Sequence, residues 1–315
     1  MNYFIAFCVS LIISLASAPW LIKLSNKLDF TDKPTKRKKH KNPTPLIGGV
    51  FMFIAFAIGY SIFVGFGDFK KIAVLAGAAL ILIIGLFDDF FKTRGREFYI
   101  FPRVLVQLFA ASLVFFAGIR FWGIANPVTG EHIVFPIVIQ YFVTILWIFG
   151  VTTVMNFSDG LDGVTGGITV TACVTFFICA ILLKQPESAF MSIILIGAVA
   201  GFLKYNFFPA KVFMGDSGAT TLGFLLAVMA LYGAFKQATV VSVAAPVLAL
   251  GIPIFDNVFV VMRRFVERKP IYKADATQIH HRLVGRGVQP AHAATFIILL
   301  SVCLNLTSVI LLLIP

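Results

Sequence analysis

Long apolar stretches separated by short polar connections run the length of the chain. They fall near 3–22, 46–66, 72–87, 104–121, 137–155, 168–183, 189–204, 219–235, 240–262 and 293–314. Within each run the apolar residues are continuous, whereas the strands of a transmembrane barrel would alternate apolar and polar over about ten residues. A bilayer core of roughly 30 Å takes about 20 apolar residues as a helix. The pattern predicts an all-α fold: a polytopic integral membrane protein of about ten transmembrane helices, forming a single domain over residues 1–315.

Composition strengthens this reading. Hydrophobic residues make up 59% of the chain and charged residues 13%, about half the charge of an ordinary soluble domain. With mean hydropathy at +0.95, a soluble enzyme, a disordered tail and a secreted disulfide scaffold are excluded. Cys8, Cys173, Cys179 and Cys303 all lie in apolar runs without C-x-x-C spacing, which suits small buried hydrophobes. Phe is abundant, as it is on lipid-facing helices, and carries no information about activity.

The net charge of +12 matters through its placement. The connections at 23–45, 88–103, 205–218 and 263–292, with Lys204, hold 21 Lys and Arg residues, and the alternate connections hold five. The positive-inside rule puts the first set in the cytoplasm and both termini outside. No basic groove interleaved with aromatics is present, so no nucleic-acid partner is expected. Ala16-Ser17-Ala18 follows an apolar run, but the basic cluster comes after that run. A signal peptide has the opposite order, so the segment is read as the first transmembrane helix.

Acidic residues crowd the same face. Of 14, ten lie on the expected cytoplasmic side, as do four of the five His residues. A transporter would place ionisable groups nearer the midplane on interrupted helices. The distribution points to chemistry at the cytoplasmic interface, in loops that carry the active site.

Several clusters are candidates. Asp88-Asp89 ends the third run, and two adjacent carboxylates repel unless a cation or proton is near. They fit a metal site, or an ordinary polar helix end. In Asn156-Phe157-Ser158-Asp159-Gly160-Leu161-Asp162-Gly163 the two acids share one face if the segment is helical, and the glycines permit close backbone approach. A glycine-rich turn with solvated acids is the bland alternative. Asp216 in Phe213-Met214-Gly215-Asp216-Ser217-Gly218 suits a helix N-cap or a magnesium ligand facing phosphate oxygens. His280-His281-Arg282 suits a pyrophosphate, a weak zinc site or a headgroup-binding stretch. Lys33 to Lys41, including His40, reads first as a topology determinant touching anionic lipids. The adjoining Pro43-to-Gly49 stretch makes it more specific than that. Asp256, inside the ninth run near Gly251 and two prolines, is a functional candidate by position, or a brace for a neighbouring helix.

Taken together in this order, these pieces resemble the polyprenyl-phosphate N-acetylhexosamine-1-phosphate transferases. The resemblance rests on Asp32-Lys33-Pro34 to His40, Pro43 to Gly49, Asp88-Asp89, Asn156 to Gly163, Phe213 to Gly218, Pro253 to Asp256 with Arg263-Arg264, and His280-His281-Arg282-Leu283. It implies that a lipid phosphate attacks the β-phosphorus of a UDP-N-acetylhexosamine and releases UMP. It implies magnesium (Mg2+) as cofactor, held by Asp216 with Asp159 as second ligand, and a catalytic set of Asp88, Asp89 and Asp216. Asp88 would orient or deprotonate the lipid phosphate with Asp89 in support. Asn156, Asp162, His280, His281 and Arg282 would hold the nucleotide sugar, and Lys33 and His40 the lipid phosphate.

The implied partners are undecaprenyl phosphate and membrane lipids in the bacterial cytoplasmic membrane. A homodimer is compatible with such a chain. The form of the Pro43-to-Gly49 stretch is similar to the WecA/TagO branch, which favours UDP-GlcNAc as donor. The alternatives are the MraY-type phospho-MurNAc-pentapeptide transfer of peptidoglycan synthesis and, in another class, a flippase or transporter of an anionic lipid-linked sugar. One position departs from the family's pattern: Gln278 stands where relatives usually carry the first His of His-Ile-His-His. Gln keeps hydrogen-bonding capacity and loses the titratable charge.

Overall fold

A computed structural model describes residues 2–33, 43–125, 131–233, 240–268 and 278–313. Twelve helices are described: α1 (Asn2–Lys27), α2 (Gly48–Phe63), α3 (Phe69–Thr93), α4 (Ile100–Phe116), α5 (Ile137–Ser158), α6 (Val164–Leu182), α7 (Pro186–Asn206), α8 (Gly215–Tyr232), α9 (Val240–Ala249), α10 (Gly251–Val266), α11 (Ile279–Gly285) and α12 (Pro290–Leu313). Two short antiparallel ladders accompany them, β1 (Thr31–Asp32) with β2 (Thr44–Pro45), and β3 (Gly123–Ala125) with β4 (His132–Val134). These ladders of two and three residues qualify the all-α expectation. They are too short to leave an alternating pattern.

Each apolar run coincides with a helix except 240–262. Among the described residues, α1, α3, α5, α6, α7 and α12 are long and apolar enough to cross a membrane, and α2 and α4 are apolar but shorter. The ninth run is divided at Leu250 into α9 and α10. Pro253 causes the break, because its ring has no N–H to give and crowds the carbonyl four residues back. That carbonyl, on Ala249, takes the Asn305 amide of α12 instead, at 3.3 Å.

The innermost helix is α8, buried along nearly its whole length, with α3, α5 and α2 packed around it. Small residues permit these approaches, as at membrane helix interfaces generally. A Cβ on Gly85 of α3 would lie 2.4 Å from Ser217 Cα, and one on Gly223 would meet Thr152 of α5 at 2.8 Å. Large apolar side chains such as Phe4, Ile12, Phe142, Leu146, Leu306 and Ile310 are exposed on the outer helices, the reverse of a soluble surface and in keeping with lipid contact. At the start of α3, Lys71 pairs with Glu187 of α7 at 2.7 Å, and Tyr60 of α2 donates to the Lys71 carbonyl. The sequence-predicted site residues gather around the other end of α3.

Candidate active site

The close approach at Gly85 lays the first turn of α8 against the last turns of α3. Asp89, buried there, accepts the Asp216 N–H on Oδ1 at 2.9 Å and the Ser217 N–H on Oδ2 at 3.0 Å. The carboxylate therefore caps α8 from another helix, satisfying two orphan amides and complementing the helix dipole. Gly215 makes this fit possible. Its φ is +72°, and a Cβ would lie 2.4 Å from Asp89 Oδ2.

Asp88 turns to a different partner set. Its Oδ2 receives Arg103 Nη1 at 2.7 Å and Lys92 Nζ at 3.0 Å. The same Lys92 lies 2.5 Å from Asp216 Oδ2, and Arg103 lies 3.5 Å from it. Asn156 Nδ2 donates to that Asp216 oxygen at 3.4 Å. The Asp88 side chain is 2% exposed, and an ionised carboxylate so placed is tenable only when paired. Two carboxylates from α3 and α8 thus converge on two cationic heads from α3 and α4.

The loop after α5 supplies the next layer. The helix ends at Ser158, and Gly163 restarts the chain as α6 with φ +78°. Asn206 accepts the Gly163 N–H at 2.9 Å and donates to the Val212 carbonyl at 2.8 Å, while Asp162 accepts the Ala210 N–H at 2.9 Å. Asp162 and Asn206 together tie this loop to the connection leading into α8. Burial pushes the Asp159 carboxyl up to about 7, with the Asp216 and Asp162 carboxylates adding to the rise. The Pro43-to-Gly49 stretch closes on the same place: Gly48 and Gly49 donate to the carbonyls of Phe213 and Met214.

His280 joins the site through Gly160. A Cβ there would come within 1.9 Å of His280 Nε2, so only glycine leaves room for the imidazole. His280 is buried, and burial pulls its pKa down to about 4, with His281 contributing. It is neutral at pH 7, and its Nε2 has no hydrogen-bond partner among the described residues. His281 lies against it with ring centroids 4.2 Å apart. The Arg282 guanidinium lies over the Phe259 ring of α10 at 5.0 Å. Asp256 accepts the Ile279 N–H at the start of α11, at 2.9 and 3.1 Å. Gln278 precedes that helix and makes no side-chain cap.

Asp88, Asp89, Asn156 and Asp216 are therefore drawn into one connected set, with Asp159, Asp162 and His280 along its edge. His281 and Arg282 are exposed on α11. Lys33 is exposed and held by Asp29 at 2.7 Å, and His40 lies outside the described residues. Lys92, Arg103 and Asn206 were missed by sequence reasoning. Only Lys92 carried a signal, four residues after Asp88 and so on the same helical face.

The donor set fits magnesium, which binds phosphates through one or two carboxylates and keeps several waters. Asp88 Oδ2 and Asp216 Oδ2 already face shared positive charge from Lys92. Among the described residues no three His, Cys, Asp or Glu side chains are grouped so as to hold a metal ion, and binding beside phosphates through one or two carboxylates does not require three.

The matches to known proteins agree in kind. Residues 71–234 match the family model described as glycosyl transferase family 4. The chain is 31% identical over 307 residues to a probable undecaprenyl-phosphate N-acetylglucosaminyl 1-phosphate transferase of Bacillus subtilis, covering 98% of this chain and 84% of that one. It is 32% identical over 240 residues to a phospho-N-acetylmuramoyl-pentapeptide-transferase of Clostridium novyi, covering 71% and 72%. A decaprenyl-phosphate N-acetylglucosaminephosphotransferase of Mycobacterium tuberculosis is 28% identical over 297 residues, covering 84% and 71%. The family model takes in the Asp88-Asp89 pair, the Asn156-to-Gly163 loop and Asp216, the residues that the structure joins. The chain belongs to glycosyl transferase family 4.

Proposed function

We propose that this protein transfers N-acetylglucosamine-1-phosphate from UDP-GlcNAc to undecaprenyl phosphate, releasing UMP and leaving a lipid-diphosphate-linked sugar. The observation that carries the reading is the convergence of Asp88 and Asp216 on Lys92 and Arg103. It makes an acidic site for a metal next to fixed cations for phosphates. GlcNAc is preferred to the muramyl-pentapeptide donor because the similarity to the B. subtilis GlcNAc-type relative extends over 98% of the chain.

In the reaction an oxygen of the lipid phosphate forms a bond to the β-phosphorus. The bond from that phosphorus to the bridging oxygen breaks, and UMP leaves with the oxygen. A phosphate monoester has its second pKa near 6, so the nucleophile is already largely dianionic and no residue need take a proton from it. Lys92 and Arg103 screen the repulsion between two anionic substrates, and Asp88 holds both cations in place. Asp89 fixes the first turn of α8 and with it Asp216. Asn156 orients Asp216 by its amide, and Asp162 shapes the loop that approaches the nucleotide. His281 and Arg282 supply donors to the diphosphate, while neutral His280 seats α11 in the Gly160 notch. Magnesium, held by Asp216 with Asp159, would neutralise the pyrophosphate and stabilise the departing UMP.

On this reading the protein lies in the bacterial cytoplasmic membrane with about ten spans, both termini outside and the site facing the cytoplasm. The support is the partition of 21 basic residues against five. The test is UMP release by purified protein in detergent with undecaprenyl phosphate, magnesium and a panel of UDP-sugars. Release requiring both lipid and magnesium, and greatest with UDP-GlcNAc, is expected. Greatest release with the muramyl-pentapeptide donor would reassign the branch, and none with any donor would remove the transferase reading.

A further inference from the structure

α11 has seven residues, too few for a stable helix in isolation, yet it carries the His281 and Arg282 side chains. What holds it is distributed. Ile279 and Leu283 rest on an apolar cluster of Val164, Ile168, Ile252 and Ile297. His280 fills the notch at Gly160. Two further contacts come from α10. Asp256 receives the first amide of α11 on both carboxylate oxygens, at 2.9 and 3.1 Å, and Phe259, three residues on, lies beneath the Arg282 guanidinium at 5.0 Å.

α10 is itself registered against the end of α5, the helix that leads into the loop carrying Asp159. Asn257, next to Asp256, donates to the Pro253 carbonyl at 2.8 Å and to the Val154 carbonyl of α5 at 3.4 Å, two residues before Asn156. The break at Pro253 separates this segment from α9 and lets it follow its own direction. A carboxylate and, one turn later, an aromatic ring thus hold the start and the middle of this short helix.

We propose that Asp256 and Phe259 are positioning residues for the donor nucleotide sugar, clamping α11 so that Arg282 and His281 meet its diphosphate. Neither touches substrate; both act through α11. The proposal rests on the reading that α11 serves the donor. Its first consequence does not, because the clamp is a property of the fold.

The test uses the full chain in detergent and two readouts. In Asp256→Ala, hydrogen–deuterium exchange over residues 279–283 should accelerate roughly tenfold or more, with α3 and α8 unchanged. The KM for UDP-GlcNAc should rise roughly tenfold while that for undecaprenyl phosphate stays within about twofold. Asp256→Asn keeps an oxygen for the Ile279 N–H and should recover most of the loss. Phe259→Leu keeps the apolar volume but removes the ring face, and should raise the donor KM several-fold without slowing kcat.

Unchanged exchange in Asp256→Ala would overturn the clamp. Equal losses for donor and lipid, or Asp256→Asn as defective as Asp256→Ala, would overturn its assignment to the donor. If Asp256→Ala does not yield folded protein, Phe259→Leu decides: an unaltered donor KM overturns the proposal. If the wild type releases no UMP, the transferase reading fails by itself, and the exchange measurement still judges the clamp.

Discussion

The backbone N–H of Asp216 is hydrogen-bonded to the carboxylate of Asp89 at 2.9 Å, so one acid of the site is held in place by another. The adjacent acids Asp88 and Asp89 therefore differ in kind. Asp88 faces the cations, and Asp89 faces backbone amides. Asp89→Ala should cost about 2 kcal/mol or more, since a buried charge-assisted cap is lost, and it should abolish turnover by releasing the α8 start. Asp88→Asn leaves that cap intact and should lower turnover with a smaller loss of thermal stability. Thermal unfolding in detergent and UMP release on the two variants check the division. Equal destabilisation would contradict it.

Gly160→Ala is expected to expel His280 rather than unfold the protein. The conflict, at 1.9 Å, is with the far end of the His280 ring and not with backbone. Donor affinity should fall roughly tenfold. Adding His280→Ala to Gly160→Ala should cost little more, because the second change removes a contact already lost. Measured KM values for the single and double variants decide this, and additive losses would contradict it.

These relationships were unevenly legible in the chain. The helices were, because continuous apolar runs with no alternation admit little else in a membrane. The division at Leu250 does not show in the apolar pattern, because hydropathy alone passes over a proline flanked by apolar residues, here Pro253. The motifs around Asp88, Asn156, Asp216 and His280 were visible as acids and bases crowded onto one face. Their pairing was not, since Asp89 meets residues 127 and 128 positions away. Arg103 enters from the start of α4 with no spacing relation to Asp88, and Asn206 looks like any helix-terminal polar residue. Asp256 stands open between function and brace in the sequence, and its contact with Ile279, 23 residues on, is not legible there.

Arg103 supplies one of two cations on Asp88. Arg103→Met should leave the buried carboxylate with Lys92 alone and weaken the hold on anionic substrates, raising KM by roughly tenfold. Arg103→Lys should be intermediate, because a point charge cannot reproduce the planar fork. Steady-state kinetics with both substrates varied would show it, and wild-type KM values in Arg103→Met would contradict the screening role.

The buried His280 gives a pH dependence of definite sign. Its pKa in the folded protein lies at about 4, below the unfolded value of 6.5. Between those values the unfolded chain binds more protons, so stability falls as pH drops through that window and is complete above it. The acid-side loss of thermal stability should shrink in His280→Gln, which does not titrate. Unfolding temperatures measured from pH 4 to 7.5 on both proteins provide the comparison. Parallel curves would contradict the assignment.

If Asp216, fixed by Asp89 and flanked by Asp88, Lys92 and Arg103, is where phosphoryl transfer takes place, removing its charge must stop the reaction without unfolding the protein. The most direct measurement is UMP release by the wild type and Asp216→Asn side by side, with UDP-GlcNAc, undecaprenyl phosphate and magnesium, on protein whose thermal unfolding has been matched. Turnover should fall by about a thousandfold while Asp216→Asn stays folded, since the capped amide of residue 216 is unchanged. Turnover close to wild type in folded Asp216→Asn would contradict it.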